Sequence, residues 1–172
     1  SGAIARFSPI MSEVVNFANR GGRVLGVCNG FQILCEAGLL PGALLHNENR
    51  KFICENVYLK PVSQAAPLTR SLDSTRALKI PIAHGEGNYF ISDDGLKRLQ
   101  DTDSILFQYA DEDGNVSRMA NPNGSIHNIA GVSNERMNVF GMMPHPERAT
   151  SDHLGNLDGV GILRGLAMLV EA

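Results

Sequence analysis

Apolar and polar residues follow two periods along this chain, and each period marks a kind of element. Met11, Val14, Val15 and Ala18 recur at i, i+3, i+4 and i+7, the spacing of one helix face. Ser8 and Pro9 predict its start as N-cap and first helical residue, and Gly21-Gly22 its end. Val24-Leu25-Gly26-Val27 is a short continuous apolar run, the pattern of a strand covered on both faces. A helical pattern resumes through Phe31, Leu34 and Cys35 and closes at Gly38 and Pro41. The middle reads as β: residues 52–59 alternate loosely, Leu78, Ile80 and Ile82 cleanly, and 105–109 and 129–132 are further strands. Turn clusters at 111–115 and 121–125 separate them. Residues 139–143 form a last strand, ended by Pro144-His145-Pro146-Glu147. Asp158 caps a final amphipathic helix with Ile162, Leu163, Leu166, Leu169 and Val170 on one face. Helix, buried strand, tight turn and helix is the order of an α/β fold with a parallel sheet. No repeat, linker or low-complexity stretch divides the chain, so residues 1–172 read as one domain.

Composition narrows the partners. Fifteen Lys and Arg against eighteen Asp and Glu give a net charge of -3, and Arg50-Lys51 and Lys97-Arg98 are the only adjacent basic pairs. The basic footprint of a nucleic-acid reader is missing. No apolar run approaches the roughly 20 residues of a membrane span, since the longest candidate is broken by Gly161, Arg164 and Gly165. Three cysteines without a CxxC spacing suit neither a disulfide framework nor a zinc ribbon, and point to reduced thiols in the cytoplasm. Zinc-hydrolase and EF-hand signatures are absent, and Gly85-Glu86-Gly87 is a lone GxG with no phosphate loop around it. The first residues carry neither an initiator Met nor the pattern of a signal peptide, so a longer chain is expected.

The sharpest chemical feature is Gly26-Val27-Cys28-Asn29-Gly30. A nucleophile between glycines, after a buried strand and before a helix, is a nucleophile elbow with Cys in place of Ser. The helix N-terminus favours a thiolate, and the N–H of Asn29 is placed to stabilise an oxyanion. The alternative reading is a small buried cysteine in a turn; Cys35, on the apolar face of the next helix, and Cys54, within a strand, read as structural. A thiol nucleophile needs a base and the base an orienting group. His145 stands at a strand's C-terminal end, its backbone restricted by prolines on both sides, and Glu147 can hold its Nδ1–H. His84-Gly85-Glu86 repeats the His-x-Glu spacing, while His46, His127 and His153 read as surface or loop residues.

With Cys28, His145 and Glu147 assembled, the chain resembles the class I (triad) glutamine amidotransferases. The motifs GVCNGFQIL at 26–34, EAGLLPG at 36–42, AHGEGNY at 83–89 and GMMPHPERA at 141–149 resemble those of the glutaminase subunits of phosphoribosylformylglycinamidine synthases. The resemblance implies a flavodoxin-like α/β fold, an open, mostly parallel sheet flanked by helices. It implies that Cys28 attacks the glutamine carboxamide while His145 moves the proton and Glu147 orients it. Gln32 is placed beside the glutamine pocket, Asn123-Gly124-Ser125 in the turn that recognises its amino-acid end, and His84 and Glu86 at the pocket rim or partner interface. It implies no cofactor in this subunit, ATP and Mg in a large synthetase subunit that takes the ammonia for purine biosynthesis, and a small third subunit. It also implies about fifty further family residues, with a second oxyanion donor, ahead of Ser1. Two other readings remain open at this stage: another thiol hydrolase on the same fold, and a regulatory subunit without chemistry.

Overall fold

The computed structural model describes residues 7–167. Helix α1 (Pro9–Asn19) starts after Ser8 with Pro9 in its first turn and buries Met11 and Ala18. Strand β1 (Val24–Val27) runs through Cys28 into α2 (Asn29–Glu36), which buries Phe31 and Leu34. Then follow β2 (Ala43–Leu45), β3 (Ile53–Pro61), β4 (Leu78–His84), β5 (Asn88–Phe90) and α3 (Asp93–Asp101). Strands β6 (Ile105–Ala110), β7 (Ile129–Ser133) and β8 (Val139–Met142) lead to α4 (Asp158–Ala167). Leu169 and Val170, expected on the face of the last helix, lie outside the described residues, as do residues 1–6.

The main sheet has the order β1-β8-β7-β6-β3-β4, and β2 and β5 form a separate antiparallel ribbon. The α/β class and the open sheet flanked by helices hold. The mostly parallel pairing needs correction for the described residues. Only β1 and β8 pair in parallel, and the other four pairings are antiparallel. Four strands, β1, β8, β6 and β4, still point the same way, because β7 and β3 run back between them. The cause is in the connections. Residues 134–138 join β7 to β8 as a short turn, whereas a parallel neighbour needs a crossover of about a dozen residues or more. Strand β1 is also less covered than its apolar run suggests: only Gly26 is buried, and β8 is its sole partner among the described strands.

Two apolar clusters sandwich the sheet. One contains Leu59, Ile80, Ile82, Leu106, Phe140, Met142 and Ile162, the last contributed by α4. The other contains Ala18, Phe31, Leu34, Leu96, Leu99, Val139 and Met143, bringing in α1, α2 and α3. Strand β8 and the residue after it feed both by alternation, Phe140 and Met142 to one side, Val139 and Met143 to the other. Asn138 ties α1 to the turn before β8 by donating to the carbonyls of Ala18 (2.7 Å) and Gly22 (2.9 Å). Strands β1 and β8 are therefore covered on both faces, and α1 is fixed at the end of β8 away from His145. No helix of the described residues is long and apolar enough to cross a membrane.

Candidate active site

The elbow is built as its sequence requires. Cys28 is the N-cap of α2 with φ 53° and ψ -110°, a left-handed backbone that a non-glycine residue adopts at a cost of about 1–3 kcal/mol. Two hydrogen bonds hold it there. Its N–H donates to Met142 O on β8 at 2.8 Å, and its carbonyl accepts from Gln32 N at 3.2 Å. Gly26 permits the turn, because a Cβ on it would lie 2.6 Å from the carbonyl of Gly30 and 2.6 Å from Leu34 Cδ1. Helix α2 thus folds back onto the strand that precedes it, with the sulfur at the junction.

The expected base is equally constrained. His145 N–H donates to Pro81 O on β4 at 2.8 Å, so the strand-end loop is tied across the sheet. Its Nδ1 lies 2.6 Å from Glu147 Oε1, and the Arg148 guanidinium approaches the same oxygen at 3.7 Å. A carboxylate only accepts, so Nδ1 carries the proton and Nε2 is the basic nitrogen. That Nε2 is buried and has no hydrogen-bond partner. The Cys28 thiol is turned instead toward Ala83 O, at 3.8 Å.

The expected thiolate character of Cys28 is not its resting state. Burial raises the thiol above its ordinary value and outweighs the Asn29 N–H and Arg148, which lower it, while Glu147 adds to the rise. The helix-end donor aims at sulfur as expected, but desolvation wins. Cys35 is pushed up to about 12 by burial, then by Glu36, and Cys54 is exposed on β3.

His84 is 4% exposed, and its Nδ1 faces Asn47 Oδ1 at 3.1 Å. The Asn47 amide nitrogen donates to the carbonyls of Lys51 and His84, at 2.8 and 2.9 Å, which fixes its oxygen as an acceptor. Gly87 N–H donates to the same oxygen at 3.0 Å. His84 Nδ1 must therefore donate, leaving Nε2 as a bare buried acceptor. Burial, reinforced by repulsion from His145, lowers its pKa to about 4. Two residues on, Glu86 Oε2 accepts from Gln32 Nε2 at 3.1 Å, which brings these two candidate site residues together.

The 121–125 turn departs from expectation in its side chains. Asn123 is buried and donates to Gly87 O (2.8 Å) and Tyr109 Oη (3.2 Å), and Ser125 Oγ donates to Ile129 O. Asn123 braces the turn against Gly87 and β6, and Ser125 braces it against the start of β7. Gly124, with φ 85°, faces Glu48. His46, His127 and His153 are exposed. Asn47, Ala83 O and the fully buried Tyr109 belong to the neighbourhood without having been anticipated. No local pattern marks them, as each acts through a partner distant in sequence. Among the described residues no group of three or more His, Cys, Asp or Glu is arranged to hold a metal ion.

A strained cysteine at a strand-to-helix turn, beside a histidine–glutamate pair on the neighbouring strand end, defines the triad type of glutamine amidotransferase. The chain belongs to that family: the CobB/CobQ-like glutamine amidotransferase domain matches residues 2–157. It is 54% identical over 96% of its length to the phosphoribosylformylglycinamidine synthase subunit PurQ of Koribacter versatilis, covering 72% of that protein. Against the subunit of the same name from Salinibacter ruber it is 51% identical over 96% of its length, covering 71% of that protein. The PurLQS structure of Thermotoga maritima superposes with a TM-score of 0.81 at 38% identity, over 99% of this chain and 72% of that one.

Proposed function

We propose that this chain is the glutaminase subunit of a phosphoribosylformylglycinamidine synthase, hydrolysing glutamine to glutamate and ammonia through Cys28, His145 and Glu147. The observation that carries the reading is Cys28, held in its strained conformation beside an imidazole whose Nε2 is unpaired and whose Nδ1 is tied to a carboxylate. The thiol leaves Ala83 O and gives its proton to His145 Nε2 as sulfur attacks the carboxamide carbon. The Asn29 N–H stabilises the oxyanion of the tetrahedral adduct. Collapse breaks the C–N bond, and the proton on His145 leaves with the nitrogen as ammonia. Water, deprotonated by His145, then cleaves the glutamyl thioester and the thiol is restored. Glu147 keeps the imidazole in one tautomer throughout.

Gln32 and the 123–125 turn wall the glutamine pocket, with His84 and Glu86 at its rim. The described residues form one amidotransferase domain. Ammonia passes to a large synthetase subunit that uses ATP and Mg to convert formylglycinamide ribonucleotide to formylglycinamidine ribonucleotide in purine biosynthesis. A small third subunit completes the complex, which works in the cytoplasm. Support for these partners comes from the named relatives and the PurLQS likeness.

The test is Cys28→Ala in the reconstituted complex. Glutamate release from glutamine should fall by about 1000-fold or more, while product formation from added ammonium salt persists. Glutamate release at the parent rate would sink the assignment.

A further inference from the structure

Strand β4 is an edge of the main sheet, and its free side faces the triad. In a strand the N–H and C=O of one residue point the same way, and alternate residues address opposite neighbours. Lys79 faces outward: its N–H donates to Asp158 Oδ2 at 2.8 Å, and its carbonyl accepts from Asn156 Nδ2. Pro81 follows, its carbonyl accepting from His145 N–H at 2.8 Å. Ala83 is next, its carbonyl 3.8 Å from Cys28 Sγ. Base and nucleophile are held at consecutive outward carbonyls, about 7 Å apart along the strand. Between Lys79 O and Pro81 O lies the nitrogen of residue 81, where proline has no hydrogen. Both groups that flank it are donors, Asn156 Nδ2 and His145 N–H. The turn that bears His145 has its carbonyls engaged as well. His145 O accepts from Arg148 N at 3.1 Å, Pro146 O from Ala149 N at 3.0 Å and Glu147 O from Thr150 Oγ1 at 3.1 Å.

We propose that Pro81 is a positioning residue for the base, presenting an acceptor to His145 with no donor beside it; the inference rests on the glutaminase reading above. Any other residue at 81 would aim an N–H between two donors, at a turn whose carbonyls are in use. That hydrogen is either left unpaired or draws an acceptor from the turn. In both cases His145 and Glu147 move off β4, while Cys28 stays at Ala83 O. A displacement of about 1 Å between reacting groups is enough to cost about 100-fold in rate.

The experiment replaces residue 81 in two ways, in the complex reconstituted with its synthetase partners. Pro81→Ala restores the N–H. Pro81→lactic acid, introduced by nonsense suppression, carries alanine's side chain with an ester oxygen where the N–H would be. With Pro81→Ala, kcat for glutamate release should fall about 10- to 100-fold while KM for glutamine stays within about threefold. The lactic acid chain should keep kcat within about threefold of the parent. Its ester makes the Ile80 carbonyl a weaker acceptor toward β3, a cost read in Tm and not in kcat. Parent kcat in Pro81→Ala overturns the proposal. Equal slowing of both chains also overturns it, because the fixed φ of the ring, not the missing donor, would then set the geometry. So does a raised KM with kcat unchanged, which places the effect in substrate binding. Should Pro81→Ala not fold, the lactic acid chain decides alone: parent kcat supports the proposal and a tenfold loss overturns it. A parent complex that releases no glutamate from glutamine fails in a different way, by removing the glutaminase reading on which the inference rests.

Discussion

At the scale of single residues, the environment of Cys28 sets a reactivity order that sequence position alone does not. Burial raises its thiol, so at neutral pH the resting chain holds sulfur protonated, and attack depends on His145 taking the proton in the same event. Cys54 is exposed, and Cys35 is pushed up to about 12. Iodoacetamide should therefore label the isolated chain at Cys54 first, Cys28 more slowly and Cys35 last. Peptide mapping over a time course reads the order, and labelling of Cys28 ahead of Cys54 would show a preformed thiolate. Glu147 supplies a second test at this scale. Its carboxylate is 2.6 Å from His145 Nδ1, and Glu147→Gln removes the charge that stabilises the imidazolium. Its kcat for glutamine hydrolysis should drop about 100-fold, with KM little changed.

At the scale of elements, the base is positioned by α4 as much as by β8. Gly159 donates its N–H to Ala149 O at 2.8 Å, and a Cβ there would lie 2.0 Å from Pro146 O. The helix thus packs backbone to backbone on the turn that carries His145 and Glu147. Gly159→Ala must lift α4 from it, at a cost of about 2 kcal/mol, lowering Tm by roughly 4–8 °C. Calorimetry and glutaminase rates measured together check this, and a variant with the parent Tm and rate refutes the packing argument. The same contrast explains what was legible in the sequence. The elbow and the His145-Pro146-Glu147 unit are local, so a handful of adjacent residues define them. Helix α3 is local too, with the Ser92 cap and buried Leu96 and Leu99, yet its short, polar stretch carries too few apolar positions to stand out. Strands β2 and β5, of three residues each, are below the reach of any periodicity. Strand direction leaves no mark in alternation, so nothing in the sequence pattern distinguishes the antiparallel pairings of β7, β6, β3 and β4 from parallel ones. Asn47 and Ala83 O join the site only because the chain brings residues 47, 84 and 28 together, and no neighbour in sequence announces that.

At the scale of the whole molecule, the neutrality of one buried ring is written into the stability of the fold. His84 keeps Nδ1 on Asn47 and has no partner at Nε2, so adding a proton there means burying a charge with His145 nearby. In the unfolded chain the same imidazole accepts a proton near its ordinary value of about 6.5, whereas in the fold it resists until about 4. Between those values the unfolded state binds more protons than the native one, so stability falls as pH falls. The contribution is fully present above about 6.5, declines through the window and is lost once pH passes below about 4. The gap corresponds to roughly 3 kcal/mol, a large part of the 5–15 kcal/mol that holds a domain of this kind together. Thermal unfolding of the parent should therefore move to lower temperature from pH 7 toward pH 4, steeply enough to exceed what exposed carboxylates contribute. His84→Asn offers no proton site in this range, so its Tm should be flatter across the same interval, whatever its offset at pH 7. The upper part of the window is the most telling, because carboxylates of ordinary affinity have not begun to titrate there. Parallel curves for parent and variant between pH 7 and 5 would mean that the folded chain accommodates a protonated His84. Converging curves, with the parent losing its advantage as acid is added, would place the neutral ring among the conditions that keep this site folded.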